Sequence, residues 1–309
     1  MMIFGTPISW FINEIFSVVL ILIVAAHICK QKKPFIKGLE LIGYILGAGI
    51  FENIGVFVKV YNYSTDRILM FGKVPISILF IEGAIFYVSF HFVKKLALPK
   101  WSIPFGVGLL SSVQDMALDP ACVYDIHRVA KTTLGQWNWG NYYNGGFLSI
   151  PFYNFSGWFA MMFYFTTGIL LGRYFSKKIK RRSFDIAYPF LAMIFMVLLL
   201  VSPLNQFLLF AMPFAQMHQK IPELIMLILL YGISIVILLS FTWKAGKVSW
   251  ANSGLVFIIP LFLDAYAIVN SIANGIKFVL PTIVIVAVLH LAYLFWAFRK
   301  TAKIRHNNP

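Results

Sequence analysis

The sequence predicts an all-α fold, a polytopic helical bundle that forms one integral membrane domain over residues 1–309. Three observations carry this. Of the 309 residues, 60% are hydrophobic, 17% aromatic and only 12% charged, which is far from the balance of a soluble domain. Apolar stretches recur near the length of about 20 residues that an α-helix needs to cross the hydrocarbon. The basic residues also alternate between the connections: 19 of the 26 Lys and Arg fall at Lys30–Lys37, Lys94–Lys100, Arg173–Arg182, Lys244 with Lys247, and Arg299–Arg305. The remaining seven are Lys59, Arg67, Lys73, Arg128, Lys131, Lys220 and Lys277. This is the positive-inside pattern, and it predicts an outside N-terminus and a cytoplasmic C-terminus; the membrane is expected to be the cytoplasmic membrane of a prokaryote. The formal charge of +15 is thereby explained by topology and anionic lipid, and nucleic acid is not expected as a partner.

About nine spans are expected, with eight as the alternative count. The first, Trp10–Ile28, follows a start (MMIFGTPISWFINEIF) without a basic n-region or small-residue cleavage site, so it is expected to be retained. The second, Gly38–Val60, carries Gly43 and Gly47, a small-xxx-small pair suited to close helix packing, and Glu52. The third, Val74–Val93, holds Glu82 near its middle. The fourth, Trp101–Leu118, ends in QDMALDP, with Asp115 about one turn inside and Asp119 at the boundary. Phe155–Phe175, Ile186–Phe210 and Ile221–Trp243 follow. Gly254–Ala273 carries Asp264, and Phe278–Phe298 carries His290. Glu14, Glu40, Asp185 and Glu223 lie near helix ends and are expected to be solvated. Cys29 and Cys122 fall on opposite faces, so no disulfide is expected, and no Cys/His spacing suggests a metal.

An ionised carboxylate in hydrocarbon costs about 2.5–3.5 kcal/mol on insertion scales, so intramembrane acids are candidates for function. Asp115 and Asp119, four apart, share a helix face. Glu52 lies about 12 Å below the outer end of its helix at 1.5 Å per residue. With Asn154 opening the fifth span, these residues are expected to converge on a polar pocket in the outer half of the membrane, opening toward lipid. Glu82 and Asp264 read equally as pocket members or as structural acids. The long outer connection, Asp119–Asn154, is rich in Trp, Tyr, Asn and Gly. Its aromatics fit either an interfacial belt or the wall of a site.

The order of FENIGVFVKVYNYS, FGKVPI, QDMALDP, GQWNWGNYY and IPFYNFSGWF resembles the membrane carotenoid hydratases of the bisanhydrobacterioruberin hydratase group. The likeness covers roughly residues 47–172, within a motif-bearing core of about 38–175. The chain departs from that pattern after Tyr143, where NGGFLSI is longer than the family's Tyr-Tyr-Gly-Val-Pro and is expected to shape the substrate mouth. The resemblance implies addition of water across the terminal isopropylidene double bond of an acyclic carotenoid or other polyprenoid, giving a tertiary alcohol without metal or organic cofactor. The chemistry of such a step needs a buried carboxylic acid to protonate the alkene, since burial favours the neutral acid. It also needs a carboxylate to steady the cation, and aromatic faces worth about 0.5–2 kcal/mol each. Asp115 is then expected as general acid, Asp119 as the charged neighbour nearer water, and Glu52 as the acceptor of a proton from water oriented by Asn154. Tyr61, Tyr63, Trp137, Trp139, Tyr142, Tyr143 and Trp158 are expected to line the substrate. Two other enzyme classes compete: a membrane terpene or carotenoid cyclase with the same acid chemistry, and a Mg²⁺-dependent intramembrane prenyltransferase. The second Asp-rich motif of the latter is missing. A transporter with buried acids as proton relays is the non-enzymatic alternative.

Overall fold

A computed structural model describes residues 2–96, 98–129, 132–139, 146–203, 205, 220–242 and 254–306. Among them run nine α-helices: α1 (Ile8–Cys29), α2 (Pro34–Phe57), α3 (Ile76–Lys95), α4 (Ile103–Val123), α5 (Phe152–Ile179), α6 (Arg182–Val201), α7 (Lys220–Thr242), α8 (Gly254–Ala273) and α9 (Leu280–His306). Each matches an expected apolar stretch. Seven are long and apolar enough to cross a membrane, namely all but α4 and α8. In α8 the apolar run is the shorter Phe257–Ala273. In α4, Gln114, Asp115 and Asp119 dilute the apolar character.

Burial explains why that polarity is tolerated. Helix α4 sits at the centre, packed against α3, α5, α7, α8 and α9, and little of it would meet lipid. Helix α3 is buried nearly all round. The outer helices keep one stripe inward and expose Leu, Ile, Val and Phe on the other face, as Leu22, Leu198, Val236 and Leu289 do. An apolar outer surface of this kind, on helices long and apolar enough to cross a membrane, fits a lipid environment. Close approach of α2 and α6 depends on Gly43 and Gly47. A Cβ on Gly43 would lie 2.9 Å from the Pro189 carbonyl oxygen, and one on Gly47 would lie 2.7 Å from Met196 Cε. The small-xxx-small reading therefore describes the α2–α6 contact.

Successive helices run antiparallel, so each end of the bundle collects alternate connections. At one end the start of α1 meets the α4–α5 connection, where the Trp10 indole donates to the Asp125 carbonyl at 3.1 Å. The α2–α3 connection joins them through Ile68 N–H donating to Glu14 at 3.2 Å. At the opposite end, His27 of α1 pairs with Tyr87 of α3 at 2.9 Å, and Lys33 lies 3.9 Å from Asp185 of α6.

Three features differ from the sequence reading. Short strands appear in the connections: β1 (Met2–Ile3) with β2 (Thr6–Pro7), β3 (Asn62–Tyr63) with β8 (Trp137–Asn138), β4 (Met70–Phe71) with β5 (Val74–Pro75), and β6 (His127–Val129) with β7 (Thr132–Leu134). Helix α4 continues past Pro120 to Val123, so Asp119 is not at a boundary near water but inside the helix and 1% exposed. Glu14, Glu40 and Glu223 are buried rather than solvated. Glu14 faces Arg67 at 3.7 Å, and Glu40 is clamped by Arg173 and Tyr188. Asp185 is partly covered, accepting from the Ser176 hydroxyl.

Candidate functional site

Two sequence patterns separated by about 75 residues build the roof of the site. Alternate residues of a strand point to the same face, so Tyr61 and Tyr63 project together, as do Trp137 and Trp139. Antiparallel pairing of β3 with β8, with Tyr63 opposite Trp137 and Asn62 opposite Asn138, lays the two pairs side by side. Ring centroids are 5.0 Å apart for Tyr61 and Trp139, and 6.0 Å apart for Tyr63 and Trp137, both near edge-to-face. The tryptophans thus turn inward and do not form an interfacial belt.

Beneath this roof lie the acids. Glu52 of α2 is 7% exposed, and its Oε2 accepts from the Tyr61 hydroxyl at 2.7 Å and the Tyr63 hydroxyl at 2.5 Å. Burial first, and the Glu52 charge second, push both phenols well above the ordinary tyrosine range, so they remain donors. Tyr61 reaches Glu52 only because residue 55 is glycine: a Cβ there would stand 2.5 Å from the Tyr61 hydroxyl oxygen. Asn154, near the start of α5, divides its amide between the two aspartates, donating to Asp115 Oδ2 at 2.9 Å and Asp119 Oδ2 at 2.8 Å. Asp119 Oδ1 accepts from the Trp137 indole N–H. Asp119 therefore has a donor on each oxygen, while Asp115 Oδ1 makes no hydrogen bond among the described residues and faces the cavity.

The cavity is about 50 Å³, room for a few waters. It gathers Glu52, Tyr61, Tyr63, Asp115, Asp119, Trp137, Trp139, Asn154 and Trp158. An apolar groove of about 90 Å³ shares Glu52, Tyr61, Trp139, Asn154 and Trp158 with it, and runs between α2, α5 and α6 past Phe51, Val58, Met161 and Leu200. Tyr142 and Tyr143 lie outside the described residues.

Three residues that the sequence reading passed over or left open also line the cavity. Glu82 of α3 is 1% exposed, and neither carboxyl oxygen has a hydrogen-bond partner among the described residues. Asn13 of α1 and Tyr266 of α8 are tied through Gln136, which accepts from Asn13 at 2.8 Å and donates to the Tyr266 hydroxyl at 3.0 Å. An Asn in the apolar run of α1 is the signal that could have found the first. Asp264 belongs elsewhere: its Oδ1 accepts from Gln114 at 2.7 Å, and His290 Nδ1 stands 4.0 Å from its other oxygen.

Chemically, the arrangement concentrates four carboxyl groups with room for water, under an aromatic roof, at the end of an apolar groove. Compared with protein-family models, curated proteins and solved structures, the chain shows no match.

Proposed function

We propose that the protein is a membrane hydratase that adds water to the terminal isopropylidene double bond of an acyclic carotenoid or related polyprenoid. The observation that carries the reading is the junction of the acid cavity with the apolar groove. Their shared wall of Glu52, Asn154, Trp139 and Trp158 lets an apolar chain lie in the groove while its end meets carboxyl groups and water. The resemblance of the five ordered motifs points to the same reaction.

In this mechanism the Asp115 carboxylic acid, through its unengaged oxygen, gives a proton to the less substituted alkene carbon. The electron pair of the double bond forms the new C–H bond and leaves a tertiary cation. Trp137, Trp139 and the Tyr61 ring face that cation. Asp119, held by Trp137 and Asn154, supplies a fixed negative charge. Water adds to the cation, and Glu52 accepts the proton it releases. Return of that proton to Asp115 through cavity water closes the cycle without a metal or organic cofactor. Asn154 acts as the bracket that spaces the two aspartates rather than as the group that orients water. The acid cluster faces the outside of the cytoplasmic membrane in this reading, with the C-terminus cytoplasmic.

Product analysis tests it. Cells that make an acyclic carotenoid and express this chain are expected to accumulate a pigment heavier by one water for each end that reacts. The same aromatic roof also suits a cyclase, which would give an isomer of unchanged mass. That product would replace the hydratase reading.

A further inference from the structure

At the end of the bundle opposite the acids, a second cavity of about 530 Å³ opens between the start of α2, the ends of α3 and α5, and the starts of α4 and α6. Seven cations line it against two carboxylates: Lys32, Lys33, Lys37, Lys94, Lys100 and Lys177, with Arg173. The carboxylates are already engaged. Glu40 takes both arms of the Arg173 guanidinium and the Tyr188 hydroxyl at 2.5 Å. Asp185 takes the Ser176 hydroxyl and, at 3.9 Å, Lys33. Lys37 donates to the Gln31 side chain at 3.2 Å. Lys32, Lys94, Lys100 and Lys177 have no carboxylate within 4.0 Å among the described residues, although all eleven Asp and Glu of the chain are described.

The walls are mixed in character. Ile36, Ile103 and Leu170 form an apolar side with the exposed Tyr174, and Phe35 and Trp101, adjacent in sequence to the lining residues Ile36 and Lys100, are exposed as well. Aromatic side chains favour the headgroup level of a bilayer. Four ammonium groups without a carboxylate partner, of which Lys94 also lies over the Phe90 ring at 5.2 Å, line the cavity beside this apolar wall and together suit an anion that carries hydrocarbon with it.

We infer that this cavity binds the phosphate headgroup of an anionic phospholipid, with the acyl chains lying along the Ile36, Ile103 and Leu170 side. Lys32, Lys94, Lys100 and Lys177 contact the phosphate. The Arg173–Glu40–Tyr188 cluster forms the rigid back wall and is not itself a ligand. This site is independent of the reaction at the other end, and a protein with a different activity would retain it.

The test uses the full chain in nanodiscs and native mass spectrometry. Wild type is expected to retain phosphatidylglycerol in preference to phosphatidylcholine. Lys32→Gln, Lys94→Gln and Lys100→Gln combined should lower retention about tenfold, since they remove three of the four charges that contact the phosphate while salt screens the remainder of the attraction. A control with Lys30→Gln, Lys178→Gln and Lys180→Gln removes the same charge from exposed positions outside the cavity and should leave retention unchanged. Folding of both variants is checked by thermal unfolding of the micellar protein. Equal retention of the two lipids by wild type would overturn the site. So would equal loss in the two triple variants, or saturation by inorganic phosphate alone without phospholipid preference.

Discussion

Replacing Asp115 by asparagine separates the chemistry of the site from its architecture. The carboxyl oxygen that accepts from Asn154 at 2.9 Å can be replaced by an amide oxygen in the same place, with the new NH₂ turned toward the cavity where Asp115 Oδ1 has no partner. One neutral hydrogen bond then replaces another, since the resting Asp115 is the protonated acid, so the change is about 1 kcal/mol at most and no cavity is created. Loss of a general acid, by contrast, costs about 10²–10⁴ in rate, or about 3–5 kcal/mol of barrier. Asp115→Asn should therefore melt within a few degrees of wild type in detergent and still bind pigment, while hydration falls by at least a hundredfold. The assay is pigment mass analysis in deuterated solvent, which marks the carbon beside the new alcohol. A variant that incorporates deuterium at near wild-type rate would refute Asp115 as the acid, and Glu82→Gln would then be the variant to examine. Asp119→Asn keeps the side-chain shape but loses the fixed charge that Trp137 and Asn154 hold, so it should slow turnover less than Asp115→Asn does.

Gly55→Ala should mimic Tyr61→Phe, because the added Cβ displaces the Tyr61 hydroxyl from Glu52; each should lower turnover about three- to tenfold, and the double variant no further. Additive losses would show that Gly55 acts by another route. Arg67→Met should destabilise the fold by about 3–5 kcal/mol, since it leaves the Glu14 carboxyl buried without its cation and removes the guanidinium from over the Trp10 ring, 4.9 Å away. Adding Glu14→Gln should restore much of the lost melting temperature; no recovery would argue that the Gln136 contacts of Arg67 matter more. A reporter fused after Pro309 should read as cytoplasmic and one before Met1 as outside, given that 19 of the 26 basic residues lie in alternate connections. Both termini on one side would overturn the sidedness.

The positions of the helices, the apolar character of seven of them and the alternation of charge were legible in the chain, because the cost of exposing polar groups to hydrocarbon is paid locally and leaves a pattern along the sequence. Helix rise converts residue number into height along the bundle, and Glu52, Asp115 and Asn154, expected at similar heights, do line one cavity. What height cannot supply is azimuth and the fold of the connections. Asp119 was expected near water because the apolar run ends at Leu118, yet α4 continues through Pro120 and the α4–α5 connection closes over it. Glu14 and Glu40 were expected in solvent for the same reason, yet each is buried against an Arg distant in the chain. Pairing of Tyr63 with Trp137 is a two-residue bridge that no periodicity announces, yet it brings the two aromatic pairs over the acids. Glu82 reads in the sequence equally as a site or a core residue, and the rotation of α3 against α2 and α4 puts it on the cavity. That rotation is set by packing of side chains far apart in sequence, so only the tertiary structure decided it.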